Sequence, residues 1–397
     1  MIRPVIQGKQ APAERRAGPP SSISPSVTAP VYLAGMRRSY ATLDAIRGVG
    51  AVMIVVRHTG AYFGAFQPPE SFLAVDLFFV LSGFVLTHAY QDRLEGEMTA
   101  LDFLRVRLVR FAPLYWLGLL GGTLAAALAI LIGRGDMSWL GIGVSFLTGL
   151  VFLPSPMPGA TGWKLFPLND PSWSLFFELI ANLALAVYWR RLSNRNLAMV
   201  CLVAGGVLAM SVLNLGYAAE GFRWPGMLMG LLRVFYSFFA GVLIYRFRDR
   251  IRMGVHPLIA LLLVAAALLG APPDRWRAIY DLAWILVGFP AIIALASARE
   301  PAAAGAGAFR FLGVTSYGVY VLHYPLQRLI MIAATALGID IGAFAPWGGL
   351  IFVAGVTALC WRLDSVYDQP MRRRLNERLR GWLKPVPAPA LPSASSP

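Results

Sequence analysis

Residues 43–64 read LDAIRGVGAVMIVVRHTGAYFG. Most of the stretch is apolar or small, and it is long enough for a helix to cross the roughly 30 Å hydrocarbon core of a bilayer. Within it, Arg47 and His58 stand eleven residues apart. Eleven residues make about three helical turns, so both side chains fall on one face with about 16 Å of rise between them. Ionisable groups inside a span are costly and face a partner or a water-filled path. A cation near one end of this helix and an imidazole near the other point to chemistry, or proton movement, conducted across a bilayer.

The rest of the chain agrees with a membrane reading. Of its 397 residues 57% are hydrophobic and only 14% charged, and the mean hydropathy is +0.61. Further apolar runs fall at 71–90, 111–133, 138–153, 172–189, 197–216, 226–246, 255–271, 277–297, 310–335 and 344–363. A net charge of +15 would suggest nucleic acid in a soluble protein, but loops biased toward Lys and Arg explain it here, and no nucleic-acid partner is expected. Cys201 and Cys360 both lie in apolar runs, fit no metal spacing and offer no disulfide framework.

Charge placement sets the topology. If every run crosses, the basic clusters fall on opposite sides after the fourth. If 138–153 does not cross, all clusters share one side, which then holds 26 of the 35 lysines and arginines. That run is also short, and a Pro- and Gly-rich loop follows it. The expectation is an all-α polytopic membrane protein with about ten transmembrane helices, a re-entrant or interfacial segment at 138–153, and both termini cytoplasmic. Residues 1–40 read as a disordered cytoplasmic tail without the apolar core of a signal peptide. Residues 41–375 form the transmembrane domain, and 376–397 a basic, then Pro/Ala/Ser-rich tail.

With that orientation His58, Asp76, Glu178, Arg233 and His323 map to the outer half of the membrane, and Arg47, Arg105, Arg107 and Arg110 to the inner half or its surface. A His beside a carboxylate can act as general base toward a hydroxyl, and clustered Arg side chains hold phosphates by charge-assisted hydrogen bonds. A phosphate-bearing donor on the cytoplasmic side and an acceptor near the outer leaflet would use both sets. Plainer readings stand beside these. The three Arg residues of 105–110 also serve as positive-inside anchors, Asp76 and Arg233 as a structural ion pair, His323 as a hydrogen-bonded core histidine, and Arg57 as a snorkelling or locally paired side chain. A glycan-precursor or proton-coupled transporter is the alternative function, but the chain lacks the internal repeat many carriers show.

Taken together, five segments identify a resemblance. LDAIRGVGAVMIVVRH carries an Arg-x10-His pattern at Arg47 and His58. AVDLFFVLSGFVLTH carries Asp76, and FLRVRLVRFAPLYWL carries Arg107 and Arg110. PSWSLFFEL runs through Trp173 and Glu178, and FLGVTSYGVYVLHYPL through Tyr320 and His323. In this order they resemble the acyltransferase 3 family, integral membrane O-acyltransferases of bacterial surface and exported glycans. The resemblance covers roughly residues 41–375.

It implies a bacterial inner-membrane enzyme moving an acyl group from acyl-CoA, most often acetyl-CoA as co-substrate, to a sugar hydroxyl without a metal. The acceptor would be an exopolysaccharide, O-antigen or lipid-linked sugar. It further implies that Arg47, Arg107 and Arg110, with Arg105, bind the CoA phosphates. His58 acts as general base or carries the acyl group, Asp76 or Glu178 orients it, and His323 completes the pocket. Arg233, Trp173 and Tyr320 face the acceptor. Two departures stand out. Leu179 replaces the second acid that often follows Glu178, and Asp368 replaces a Glu near the C-terminus, where only a cytoplasmic cap is expected to be affected.

Overall fold

Apolar runs of this length in lipid must satisfy their backbone internally, and a helix does so within one segment. The computed structural model describes residues 40–380; the tails expected at 1–39 and 381–397 lie outside them. Thirteen α-helices occur among the described residues. They are α1 (Ala41–His58), α2 (Ala74–Glu95), α3 (Ala100–Leu131), α4 (Trp139–Leu150), α5 (Ser172–Tyr188), α6 (Asn194–Leu215) and α7 (Met227–Phe247). There follow α8 (Pro257–Leu269), α9 (Asp274–Ala283), α10 (Phe289–Ser297), α11 (Ala303–Ala336), α12 (Trp347–Leu363) and α13 (Gln369–Arg380). α9 passes into α10, and α12 into α13, through a π-helical turn. The described residues contain no strand, only an isolated antiparallel bridge between Lys164 and Arg223.

Local sequence explains several boundaries. Thr99, Ser138 and Ser193 cap α3, α4 and α6, each side chain accepting from the backbone N–H three residues on. Pro257 opens α8, where its missing N–H costs nothing. α6 ends at Gly216 in the left-handed region at φ 86°, which glycine adopts without strain.

Among the described residues, seven helical runs are long and apolar enough to cross a membrane; they contain α2, α3, α5, α6, α7, α9–α10 and α12–α13. The three remaining runs of the expected ten fall short for two reasons. α8 has only 13 residues, and α1 and α11 are too polar by composition. α4, with 12 residues, rises about 18 Å and is too short to cross. α1 and α11 pack on each other along the bundle, which turns their polar groups inward. On the outside, α6 exposes Met199, Leu202 and Met210, α8 exposes Leu258 and Leu262, and α12 exposes Ile351. Apolar surface on this scale fits lipid contact in a multi-pass membrane protein.

α2 and α7 meet at their backbones. A Cβ at Gly83 would lie 1.9 Å from the Phe238 carbonyl oxygen, and one at Gly241 2.1 Å from that of Val80. Small residues permit this close approach where packing, not water exclusion, holds helices together. α1, α2, α3, α5, α7 and α11 surround two cavities.

Candidate functional site

The first cavity, about 180 Å³, is walled by α1, α2, α3, α5 and α11 and brings Arg47, Ser82, Arg107, Arg110, Glu178 and Tyr317 together. Arg107 Nη2 pairs with Glu178 Oε1 at 3.2 Å, and the Ser82 hydroxyl donates to the same oxygen at 2.5 Å. Arg107 also lies over the Phe111 ring, and Arg110 over that of Tyr317. Arg47 pairs with Asp44 one turn earlier at 3.1 Å. The wall itself carries three guanidiniums and one carboxylate, with Asp44 and Asp368 standing behind Arg47 and Arg110. Arg107 Nε and Arg110 Nη1 are buried with no hydrogen-bond partner, so the cavity holds unused donors of the kind that phosphate oxygens satisfy.

Three sequence expectations change here. Glu178 does not stand beside His58; it is held by Ser82 and Arg107 in the arginine cavity. Residue counting along α5 gives depth but not which neighbour the side chain turns toward. Arg105 is absent from the cavity wall and pairs instead with Asp102 at 3.3 Å, because it lies well around the helix from Arg107. Asp368 does more than cap a cytoplasmic end. It is 1% exposed, binds Arg372, and lies 3.8 Å from Arg110.

The second cavity, about 350 Å³, includes Arg57, His58, Asp170, Trp173, Phe222 and Arg233 in its wall. Backbone pairing of Leu165 with Phe222 and of Trp224 with Trp163 ties the two loops that close it. Lys164 and Asp170 form an ion pair at 3.1 Å, yet burial still raises the pKa of Asp170 above the usual carboxylate value.

His58 Nδ1 lies 2.8 Å from His323 Nε2, and His323 Nδ1 lies 2.9 Å from the Val319 carbonyl oxygen. A carbonyl only accepts, so His323 Nδ1 carries a proton. With both rings neutral, His323 Nε2 then accepts and His58 Nδ1 donates. The remaining lone pair belongs to His58 Nε2, the atom a general base needs. His323 is fully buried, is absent from the cavity wall and touches His58. The partner of His58 is thus a second imidazole and not a carboxylate.

Asp76 and Arg233 are bound to each other. Arg233 Nε donates to Asp76 Oδ1 at 3.0 Å and Nη2 to Oδ2 at 2.5 Å, while Nη1 donates to the Glu220 carbonyl at 2.7 Å. Both residues are at most 1% exposed. Asp76 is therefore not free to orient His58, and Arg233 has its donors committed to the protein, though it backs the cavity beneath Trp173. This is the structural ion pair of the plainer reading.

Tyr320 lines both cavities. Its hydroxyl lies 2.6 Å from the Ser174 hydroxyl and donates to the Pro171 carbonyl at 3.0 Å, and Phe78 meets its ring edge-on. The start of α5 and the middle of α11 thus form a partition between the arginines and the histidine. Residue reasoning assigned no role to Ser82, Ser174, Asp170 or Tyr324, whose ring stands edge-on to His58. Ser82 and Ser174 lie within motifs already quoted, while Asp170 precedes Pro171 and Tyr324 follows His323, so motif membership or proximity was the available signal. Among the described residues no group of three or more His, Cys, Asp or Glu is placed to hold a metal.

Comparison with known proteins adds the family context. Residues 40–363 match the acyltransferase domain that defines the acyltransferase 3 family. A protein named Protein 2 in picA locus, from Rhizobium radiobacter, is 40% identical over 186 residues, spanning 43% of this chain and 92% of the relative. Exopolysaccharide production protein ExoZ of Rhizobium meliloti (strain 1021) is 27% identical over 315 residues, spanning 76% of this chain and 89% of the relative. No solved structure matches the chain.

Proposed function

Since the chain belongs to the acyltransferase 3 family and is an O-acyltransferase, we propose that it moves an acetyl group from cytoplasmic acetyl-CoA to a sugar hydroxyl of an exopolysaccharide or its lipid-linked precursor. The observation that carries this reading is the pair of cavities on either side of Tyr320, one walled by arginines and the other by a histidine with a free lone pair. Arg47, Arg107 and Arg110 bind donor phosphates at the mouth of the arginine cavity. A cavity of about 180 Å³ suits the narrow pantetheine arm better than the nucleotide. His58 Nε2 takes the proton of the acceptor hydroxyl as its oxygen bonds to the thioester carbonyl carbon. His58 Nδ1–H stays on His323 and steadies the imidazolium that forms. The tetrahedral intermediate then breaks its C–S bond, and His58 returns the proton to the departing sulfur. The products are an O-acetyl sugar and free CoA.

The homologue named for exopolysaccharide production supports this acceptor class. Lys and Arg placement supports ten crossings, with α1, α8 and α11 among them, both termini cytoplasmic and the inner membrane as location. The test uses purified protein in lipid vesicles, labelled acetyl-CoA on the arginine side and de-O-acetylated exopolysaccharide as acceptor. Label should reach the glycan, and His58→Ala should lower kcat by roughly 10²- to 10⁴-fold. Full acetylation by His58→Ala would refute the mechanism. No CoA turnover on any glycan would favour the transporter.

A further inference from the structure

Arg57 precedes His58 on α1, and both residues line the histidine cavity. The other cations next to that cavity each pair with a carboxylate. Arg233 is spent on Asp76 and Lys164 faces Asp170 at 3.1 Å, while Glu220, also in the wall, accepts from the neutral Tyr217 hydroxyl at 3.1 Å. Glu70 pairs with Arg277 at 3.1 Å. Arg57 differs. Its contacts are a 3.3 Å bond to the Pro69 carbonyl and the face of the Phe72 ring at 5.4 Å. Glu70 is within electrostatic reach of Arg57 but is committed to Arg277. Among the described residues no carboxylate forms an ion pair with Arg57.

An unmatched guanidinium inside a membrane protein is expensive, and this one stands beside the group that becomes cationic in the reaction. Like charge opposes the imidazolium on His58. An anion seated on Arg57 reduces that opposition and gives the guanidinium the ion-pair partner it lacks.

We propose, resting on the reading of the histidine cavity as the acceptor side, that the acceptor carries an anionic group next to its reacting hydroxyl and that Arg57 binds this group. The anion is a carboxylate on the sugar or a phosphate joining it to a carrier. The cavity, about 350 Å³, falls within the usual range for small-molecule sites, and Trp173 and Phe222 offer apolar surface to a sugar ring.

The test compares glucose, glucuronate and glucose 1-phosphate as acceptors of labelled acetyl-CoA in vesicles bearing wild type, Arg57→Gln or Arg57→Lys. At least one anionic probe should exceed glucose in kcat/KM by roughly tenfold or more in wild type. Arg57→Gln should erase the advantage and Arg57→Lys retain part of it. Preference for glucuronate identifies a sugar carboxylate, and preference for glucose 1-phosphate a phosphate. Equal use of all three probes, or an advantage that survives Arg57→Gln, overturns the proposal while leaving acyl transfer standing. Should no probe be acetylated, calorimetric binding of the same three decides independently. Anion preference lost in Arg57→Gln supports the site, and equal or absent binding of the three overturns it.

Discussion

Two imidazoles 2.8 Å apart share one proton between them, and the Val319 carbonyl decides which ring supplies it. His323→Ala removes that decision without touching the arginine cavity. It should lower kcat by roughly 10²-fold while the KM for acetyl-CoA stays near wild type; an unchanged kcat would show that the tautomer chain is irrelevant. The importance of Arg47 and His58 was legible at this scale, since eleven residues on one helix fix a common face. The role of His323 was legible only as a choice between ligand contact and core histidine, and the structure makes it a buried partner of His58. Glu178, expected in the outer half with His58, meets Ser82 and Arg107 instead, although Arg107 was expected in the inner half. Asp76 meets Arg233, as the plainer reading had it, and not His58.

At the scale of elements, helix existence followed from apolar runs, but ends shifted. α1 stops at His58, short of the expected 64, and α11 begins at Ala303, earlier than the expected 310. Neither end is marked by hydropathy. The packing of α2 on α7 depends on Gly83 and Gly241, which sequence presents only as two glycines among 39. Gly83→Ala should destabilise this contact by about 1–3 kcal/mol and lower the unfolding temperature in detergent. Gly206→Ala on α6, where an added Cβ meets nothing within 4 Å, should be neutral or slightly stabilising. Equal tolerance of both substitutions would contradict the packing.

At the scale of the molecule, Tyr320 stands in the walls of both cavities. In the proposed reaction, a thioester entering among the arginines reaches His58 past this ring. Tyr320→Ala should join the cavities and let water in, raising acetate released per acetyl transferred. Tyr320→Phe keeps the ring and should stay close to the wild-type ratio. If acetate release in Tyr320→Ala matched wild type, the ring would not be the barrier.

The sequence by itself determined a multi-pass membrane protein, its family and the residue types of both chemical groups. Periodicity, apolar run length and motif order are local properties that survive without a fold. Only the tertiary structure decided which groups meet. It paired His58 with His323, moved Glu178 to the arginines, withdrew Asp76 and Arg233 into an ion pair, and left Arg57 without an ion pair beside His58. Such pairings depend on how each helix is turned about its axis, and many side chains packed at once set that angle.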